Sequence, residues 1–192
     1  MPSLVEPVLP AGSLNRAPQP TLAGDGVVLR PFADGDAPAL VDAYDDPAIR
    51  QWHCRTVDAR EAVDLVQRWR STWAAESAAS WAVVAPDDGV LLGRAGFRGV
   101  DLDEGRAEVA YWVLPAARRR GMAVASVAAL VRWAFDDVGF HRLELLHSTA
   151  NEPSCGVARR AGFTLEGTLR AAVLHADGWH DMHLHARVRP VH

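Results

Sequence analysis

Arg118-Arg119-Arg120-Gly121-Met122-Ala123 follows an apolar run from Glu108 to Leu114 and opens an apolar-periodic segment from Val124 to Phe135. A strand, a tight basic turn and a helix N-terminus in that order form an anion cradle. The N–H groups of the first helical turn have no intrahelical acceptor, the helix dipole adds partial positive charge, and a glycine lets the backbone approach a phosphate with no Cβ in the way. The spacing points to a phosphate-bearing cofactor, set against the plainer reading of a solvated basic corner. A Walker A loop would follow its last glycine with Lys and Ser or Thr, and a dinucleotide fingerprint would carry three glycines with an acidic residue about 20 positions on. Here Gly121 stands alone and neither Lys nor Ser/Thr follows it.

Other residues with chemical potential are scattered. His175, His180, His183, His185 and His192 crowd the end of the chain, and His183 and His185 share a face if that segment is a strand. A metal pair is conceivable there, but the sequence arranges no acidic or thiol ligand with them, and no metal is expected. Cys155 lacks a clearly paired histidine, which argues against an acyl-cysteine. Two cysteines, Cys54 and Cys155, fit neither a disulfide framework nor zinc spacing, and a cytoplasmic setting follows most simply.

The elements that must hold these residues can be read from periodicity. At 192 residues the chain is expected to be one domain, and its formal net charge of -4 gives no footprint for nucleic acid. No apolar run is long enough for a membrane span, and no signal peptide is expected. Residues 1–21 are Pro-rich and read as an arm, with the globular domain over 22–192. Val27-Val28-Leu29-Arg30 reads as a strand, and Asp36 caps a helix bearing Leu40, Val41 and Tyr44. Asp58 and Glu61 form a capping box before a helix with Leu65, Val66, Trp69 and Trp73 on its buried stripe. Three antiparallel strands follow (Trp81 to Ala85, Val90 to Val100, Arg106 to Leu114). The helix Val124 to Phe135 then makes Leu143 to Ser148 parallel to the strand ending at Leu114. A short helix from Asn151 to Ala161 and strands turning at Asp177-Gly178 complete the chain.

After a strand, Arg118, Gly121 and Ala123 satisfy R/Q-x-x-G-x-G/A, and here the chain resembles the GNAT superfamily of N-acetyltransferases. Leu29-Arg30-Pro31 with Asp36, Asp46-Pro47-Ala48-Ile49-Arg50-Gln51-Trp52, and Glu108 with Tyr111-Trp112 and Pro115 resemble its ribosomal-protein N-terminal acetyltransferase (RimJ/RimL) branch. So do Asn151 with Ser154, and Ala161-Gly162-Phe163 with Glu166-Gly167 and Arg170. The resemblance implies an α+β GNAT fold: a mixed, mostly antiparallel six- or seven-stranded sheet with a central parallel βαβ wedge and about four helices. It implies acetyl-CoA as co-substrate and a primary amine, either a protein N-terminus or a small molecule, as acceptor.

On that reading the pantetheine arm pairs with backbone groups at Trp112, Val113 and Leu114. The pyrophosphate falls on the N–H groups of Arg119, Arg120, Gly121, Met122 and Ala123, and one or two of Arg118, Arg119 and Arg120 bond phosphate oxygens. Glu108 is the candidate base for the amine, set against an ion pair with Arg94, Arg98 or Arg106. The tyrosine common in the superfamily is replaced by Ala158. The resemblance therefore implies Ser154 as proton donor to the thiolate and Asn151 as a pantetheine contact, although both also suit a helix cap. Trp52, His53 and Arg55 in a loop, with Trp179, His180 and Asp181 in the final hairpin, are expected to wall the acceptor site. A CoA-binding sensor with little turnover is the alternative, given Ala158, and a homodimer is open through the arm and the hairpin edge.

Overall fold

The computed structural model describes residues 4–190, so Pro2 and His192 lie outside the described residues. In chain order the elements are β1 (Leu22–Gly24), β2 (Val27–Pro31), α1 (Ala37–Asp45), α2 (Pro47–His53), α3 (Ala59–Ala74), β3 (Ala79–Val84), β4 (Leu91–Asp101) and β5 (Arg106–Val113). They continue with α4 (Met122–Arg132), β6 (Arg142–Ser148), α5 (Glu152–Arg160), β7 (Thr164–His175) and β8 (Gly178–Val188). The sheet runs β1-β2-β3-β4-β5-β6-β8-β7, so among the described residues there are eight strands rather than six or seven, and five α-helices rather than four. The extra strand is the three-residue β1, too short to show a period. The extra helix is α2, which buries only Ile49 and so lacks a stripe; its signal is Asp46, whose carboxylate accepts from the Ile49 N–H ahead of Pro47 at the first position.

One junction in this sheet is parallel, and it creates the site. Strands β5 and β6 pair only at Arg106↔Arg142, Ala107↔Leu143 and Glu108↔Glu144. Beyond Glu108 they diverge, β5 continuing to Val113 and β6 to Ser148. Backbone groups on that edge of β5 are left for another partner.

Alternation along the strands divides the core between two faces. Ala79, Trp81 and Val83 of β3 and Ala107 and Val109 of β5 join Val127, Leu130, Trp133 and Val157 from the side of α4 and α5. Ala82 and Val84 of β3 and Trp112 of β5 join Leu40, Tyr44, Ile49, Leu65 and Trp69 from the side of α1–α3. Trp69 and Trp73 are both buried, as their helical spacing predicts. After α4 the chain winds as a π-helix from Trp133 to Val138, and Gly139 ends it at φ 98°.

The Pro-rich segment is tied down rather than free. Leu9 and Leu14 belong to the core, Val8 and Leu9 N–H groups donate to Asp103 and Leu102, and the Glu76 carboxylate accepts from the N–H groups of Gly12 and Leu14. Trp81 Nε1 donates to the Pro20 carbonyl. Proline hid this strap because it has no secondary-structure period; its two buried leucines, five residues apart, fit neither template.

Candidate active site

The mouth of the β5–β6 wedge opens into a cavity of about 450 Å³. From β5 it is lined by Tyr111, Trp112 and Val113, and from the turn and α4 by Arg118, Arg119, Gly121, Met122 and Ala123. From α5 it takes Asn151 and Ser154, and from α2 Trp52 and His53. Gly121 is the N-cap of α4 at φ 79°, and Arg119 also adopts a left-handed φ of 61°. Left-handed residues alternating with ordinary ones turn successive N–H groups to one side, forming an anion-binding nest. The first helical bond runs from Ala125 to Gly121, so the N–H groups ahead of it are available to a ligand.

Four expected residues lie elsewhere. Leu114 packs against the α1–α3 core, and Arg120 is exposed beside the cavity without lining it. Trp179 is 65% exposed. The hairpin turns at Ala176-Asp177 rather than Asp177-Gly178, since Gly178 pairs with His175, and that parity sends Trp179 outward and His180 inward, where the His175 and His180 rings meet Trp52 edge-on. Glu108 sits at the apex where β5 and β6 part, outside the cavity lining, and its carboxylate pairs with Arg98, its cross-strand neighbour on β4.

Arg118 is already engaged. Its Nε donates to the Val113 carbonyl at 3.1 Å, and its guanidinium pairs with Asp46. Burial works against the Asp46 charge, but Arg118 and the Ile49 N–H outweigh it and hold the carboxyl below its usual range. Arg118 thus latches the N-terminus of α2 to the end of β5, and of the three arginines in the turn Arg119 is the one that lines the cavity without an ion-pair partner among the described residues; Arg160 of α5 lines it from the other side.

The contact that sequence reading missed is Tyr111. Its hydroxyl donates to Ser154 Oγ at 3.1 Å, and burial pushes the phenol up to about 12, so it stays protonated. Strand parity was the available signal: Tyr111 lies on the opposite face from Glu108 and Trp112, toward α5. Ala158, where the superfamily's tyrosine was sought, is fully buried in the core. Asn151 Oδ1 accepts from the Ser154 N–H at 3.2 Å, so the cap is real and leaves the serine hydroxyl on the cavity side. A second missed array joins Ser148 Oγ to His180 Nδ1 at 2.7 Å and His180 Nε2 to Asp177 at 2.9 Å.

On the α1–α3 side the field is positive. Arg94 stacks over Trp69 and bonds Ser80 Oγ. Burial, reinforced by Arg94, Arg98 and Arg55, drives His53 down to about 4, so its imidazole is neutral at pH 7. A histidine that stays neutral when folded gives up stability in acid: the unfolded chain takes up its proton near pH 6.5, the folded one only near 4. Stability is therefore complete above pH 6.5 and falls by up to about 1.4 kcal/mol per pH unit between 6.5 and 4. Urea melts across that window should show His53→Gln flattening the slope; a slope unchanged by the substitution would remove His53 as its source.

The fold and the cavity together define an acetyltransferase of the GNAT type, and residues 27–164 match the acetyltransferase (GNAT) domain family, to which the chain belongs. It is an N-acetyltransferase. The uncharacterized N-acetyltransferase YoaA of Bacillus subtilis is 26% identical over 173 residues, 89% of this chain and 98% of that protein. RimJ of Mycobacterium smegmatis, solved with a CoA disulfide, is 25% identical with a TM-score of 0.78, over 88% of this chain and 86% of its own. RimL, a ribosomal-protein alpha-N-acetyltransferase solved with coenzyme A, shares the fold at a TM-score of 0.82 and 21% identity, over 88% and 98% of the two chains. No helix among the described residues is long and apolar enough to cross a membrane.

Proposed function

We propose that the protein transfers the acetyl group of acetyl-CoA directly to a primary amine, a protein N-terminus or a small amine, within a ternary complex. The observation that carries this reading is one cavity shared by the unpaired edge of β5, the α4 nest and the Tyr111–Ser154 pair. The nest and Arg119 hold the pyrophosphate, and the pantetheine amides run along the β5 edge at Tyr111 and Val113, where the Val113 N–H faces away from β4; Trp112, whose backbone pairs with Arg94 of β4, contributes its side chain to the wall instead, and Asn151 sits beside that arm. RimJ and RimL, as neighbours solved with CoA, support the donor.

The amine nitrogen attacks the thioester carbonyl, an N–C bond forms and the C–S bond breaks. Sulfur leaves with the electron pair and takes a proton from Ser154 Oγ, which recovers one from Tyr111, and the phenolate regains its proton from water entering the cavity. That pair is placed to supply the donor that Ala158 does not, which favours turnover over a sensor that only binds CoA. Glu108, at the wedge apex and paired with Arg98, takes the amine proton through intervening water. Glu108→Gln is expected to lower kcat by about 10²-fold at neutral pH, with the deficit shrinking as pH rises and the free amine deprotonates unaided. A flat pH profile of the deficit would leave Glu108 as a partner for Arg98 only. The reading as a whole is tested by a panel of N-terminal peptides and small amines assayed for CoA thiol release. Acceptor-dependent release supports it, and acetyl-CoA binding without release from any acceptor contradicts it.

A further inference from the structure

Behind α5, on the side facing the sheet, the fold assembles four metal-ligating side chains. His147 on β6 stands opposite His183 on β8, His185 lies one strand period further along, and α5 sets Cys155 over them. One ligand atom from each lies within 4.8 Å of the others. Sequence reading found no thiol arranged with these histidines, because Cys155 is brought to them by the α5 crossover rather than by local spacing.

We propose that His147, Cys155, His183 and His185 form a zinc site. The ring atoms are a poor fit to any other account. His147 Nε2, His183 Nδ1 and both ring nitrogens of His185 are buried without a hydrogen-bond partner among the described residues, and His147 and His185 are 5% and 1% exposed. Buried polar atoms without partners are costly, and three imidazoles each offering one nitrogen to the same point beside a thiol call for an occupant. Water would satisfy some of the nitrogens but has no reason to draw in sulfur. The His147 ring shows the arrangement typical of a ligand: Nδ1 bonds the Ser148 carbonyl at 2.8 Å, which fixes the tautomer and leaves the Nε2 lone pair pointing into the cluster.

Three imidazoles and one thiolate suit a borderline-soft divalent ion with tetrahedral preference, which is zinc. At metal–ligand distances of about 2.0–2.3 Å the donor atoms lie roughly 3.5 Å apart, so side-chain rotation must draw them in by about 1 Å. Binding displaces the Cys155 thiol proton to solvent. With four protein ligands the site is closed and structural. It pins α5 to β6 and β8, and α5 carries Ser154, so zinc positions the proton donor; this consequence rests on the proposed function, whereas the binding itself does not.

The test uses tag-free, chelator-stripped full-length protein titrated with Zn²⁺ against a chromophoric chelator, and with Co²⁺ as a spectroscopic stand-in. The expected result is one metal per chain, tetrahedral Co²⁺ bands in the visible and a sulfur-to-cobalt charge-transfer band that Cys155→Ser abolishes. His183→Gln, at a half-buried position that should spare the fold, is expected to weaken Zn²⁺ at least 10-fold, and Zn²⁺ should raise the melting temperature of the wild type more than that of the variant. Less than stoichiometric zinc, an octahedral cobalt spectrum, or affinity unchanged in both variants would each overturn the proposal. A wild type that binds zinc yet transfers no acetyl group retains the site and rejects only the positioning of Ser154.

Discussion

Ser154→Ala is expected to lower kcat for acetyl transfer by about 10²-fold, while the dissociation constant for acetyl-CoA moves less than about threefold. The asymmetry follows from what the hydroxyl touches. The helix cap is made by the Ser154 N–H on Asn151 Oδ1, and alanine keeps it; the alanine loses only the Oγ that receives the Tyr111 proton. A group needed when thiolate forms, and not while the thioester sits bound, affects kcat and kcat/KM together and leaves ground-state binding alone. Tyr111→Phe should act in the same direction with a smaller loss, since Ser154 can still donate once and refill from water. The double variant should be no slower than Ser154→Ala, because the two residues form one relay and their effects do not add. Steady-state kinetics with the preferred acceptor, paired with calorimetry of acetyl-CoA binding, reads all three. Wild-type kcat in Ser154→Ala would reduce the residue to a helix cap, and additive losses would break the relay into two unrelated contacts.

What the sequence disclosed of this site, and what it withheld, divides along one physical line. Groups whose placement depends on a single element were legible. Gly121 before an apolar helix implies a cradle, and strand parity correctly puts Glu108 on the face of Trp112. Groups whose role depends on what a second element brings were not. Arg118 reads as a phosphate ligand until Asp46 arrives from α2, 72 positions earlier, and takes its guanidinium. Ala158 reads as a missing proton donor until β5 presents Tyr111, 43 positions away, to Ser154. The hairpin shows the same limit on a smaller scale, since the choice between Trp179 and His180 as the inward residue turns on parity set at the tip. The folded strap from Leu9 to Pro20 is the extreme case. It has no period of its own and is held by Glu76, Trp81 and the Leu102–Asp103 turn.

Gly121→Val should raise the KM for acetyl-CoA by about 10- to 100-fold and leave the acceptor KM near wild type. A β-branched residue disfavours the φ of 79° seen there by about 1–3 kcal/mol, and relaxing toward ordinary φ turns the nest N–H groups away from the phosphate. A Cβ at this position meets no protein atom within 4 Å. The fold can accommodate the substitution, and the new methyl groups occupy the space from which the pyrophosphate approaches. Gly89→Val supplies the control. It too has a left-handed φ, 71°, and an unobstructed Cβ, but it sits in the turn ahead of β4, outside the cavity lining. Both variants should lose a similar amount of thermal stability, and only Gly121→Val should lose donor affinity. If the two raise the donor KM equally, strain has spread through the sheet and the nest is not the phosphate site. If neither does, the pyrophosphate is held by Arg119 and its neighbours, through side-chain charge rather than backbone geometry. In that case the loss should transfer to Arg119→Ala and weaken with salt, as charge-based contacts do and N–H bonds in a fixed nest do far less.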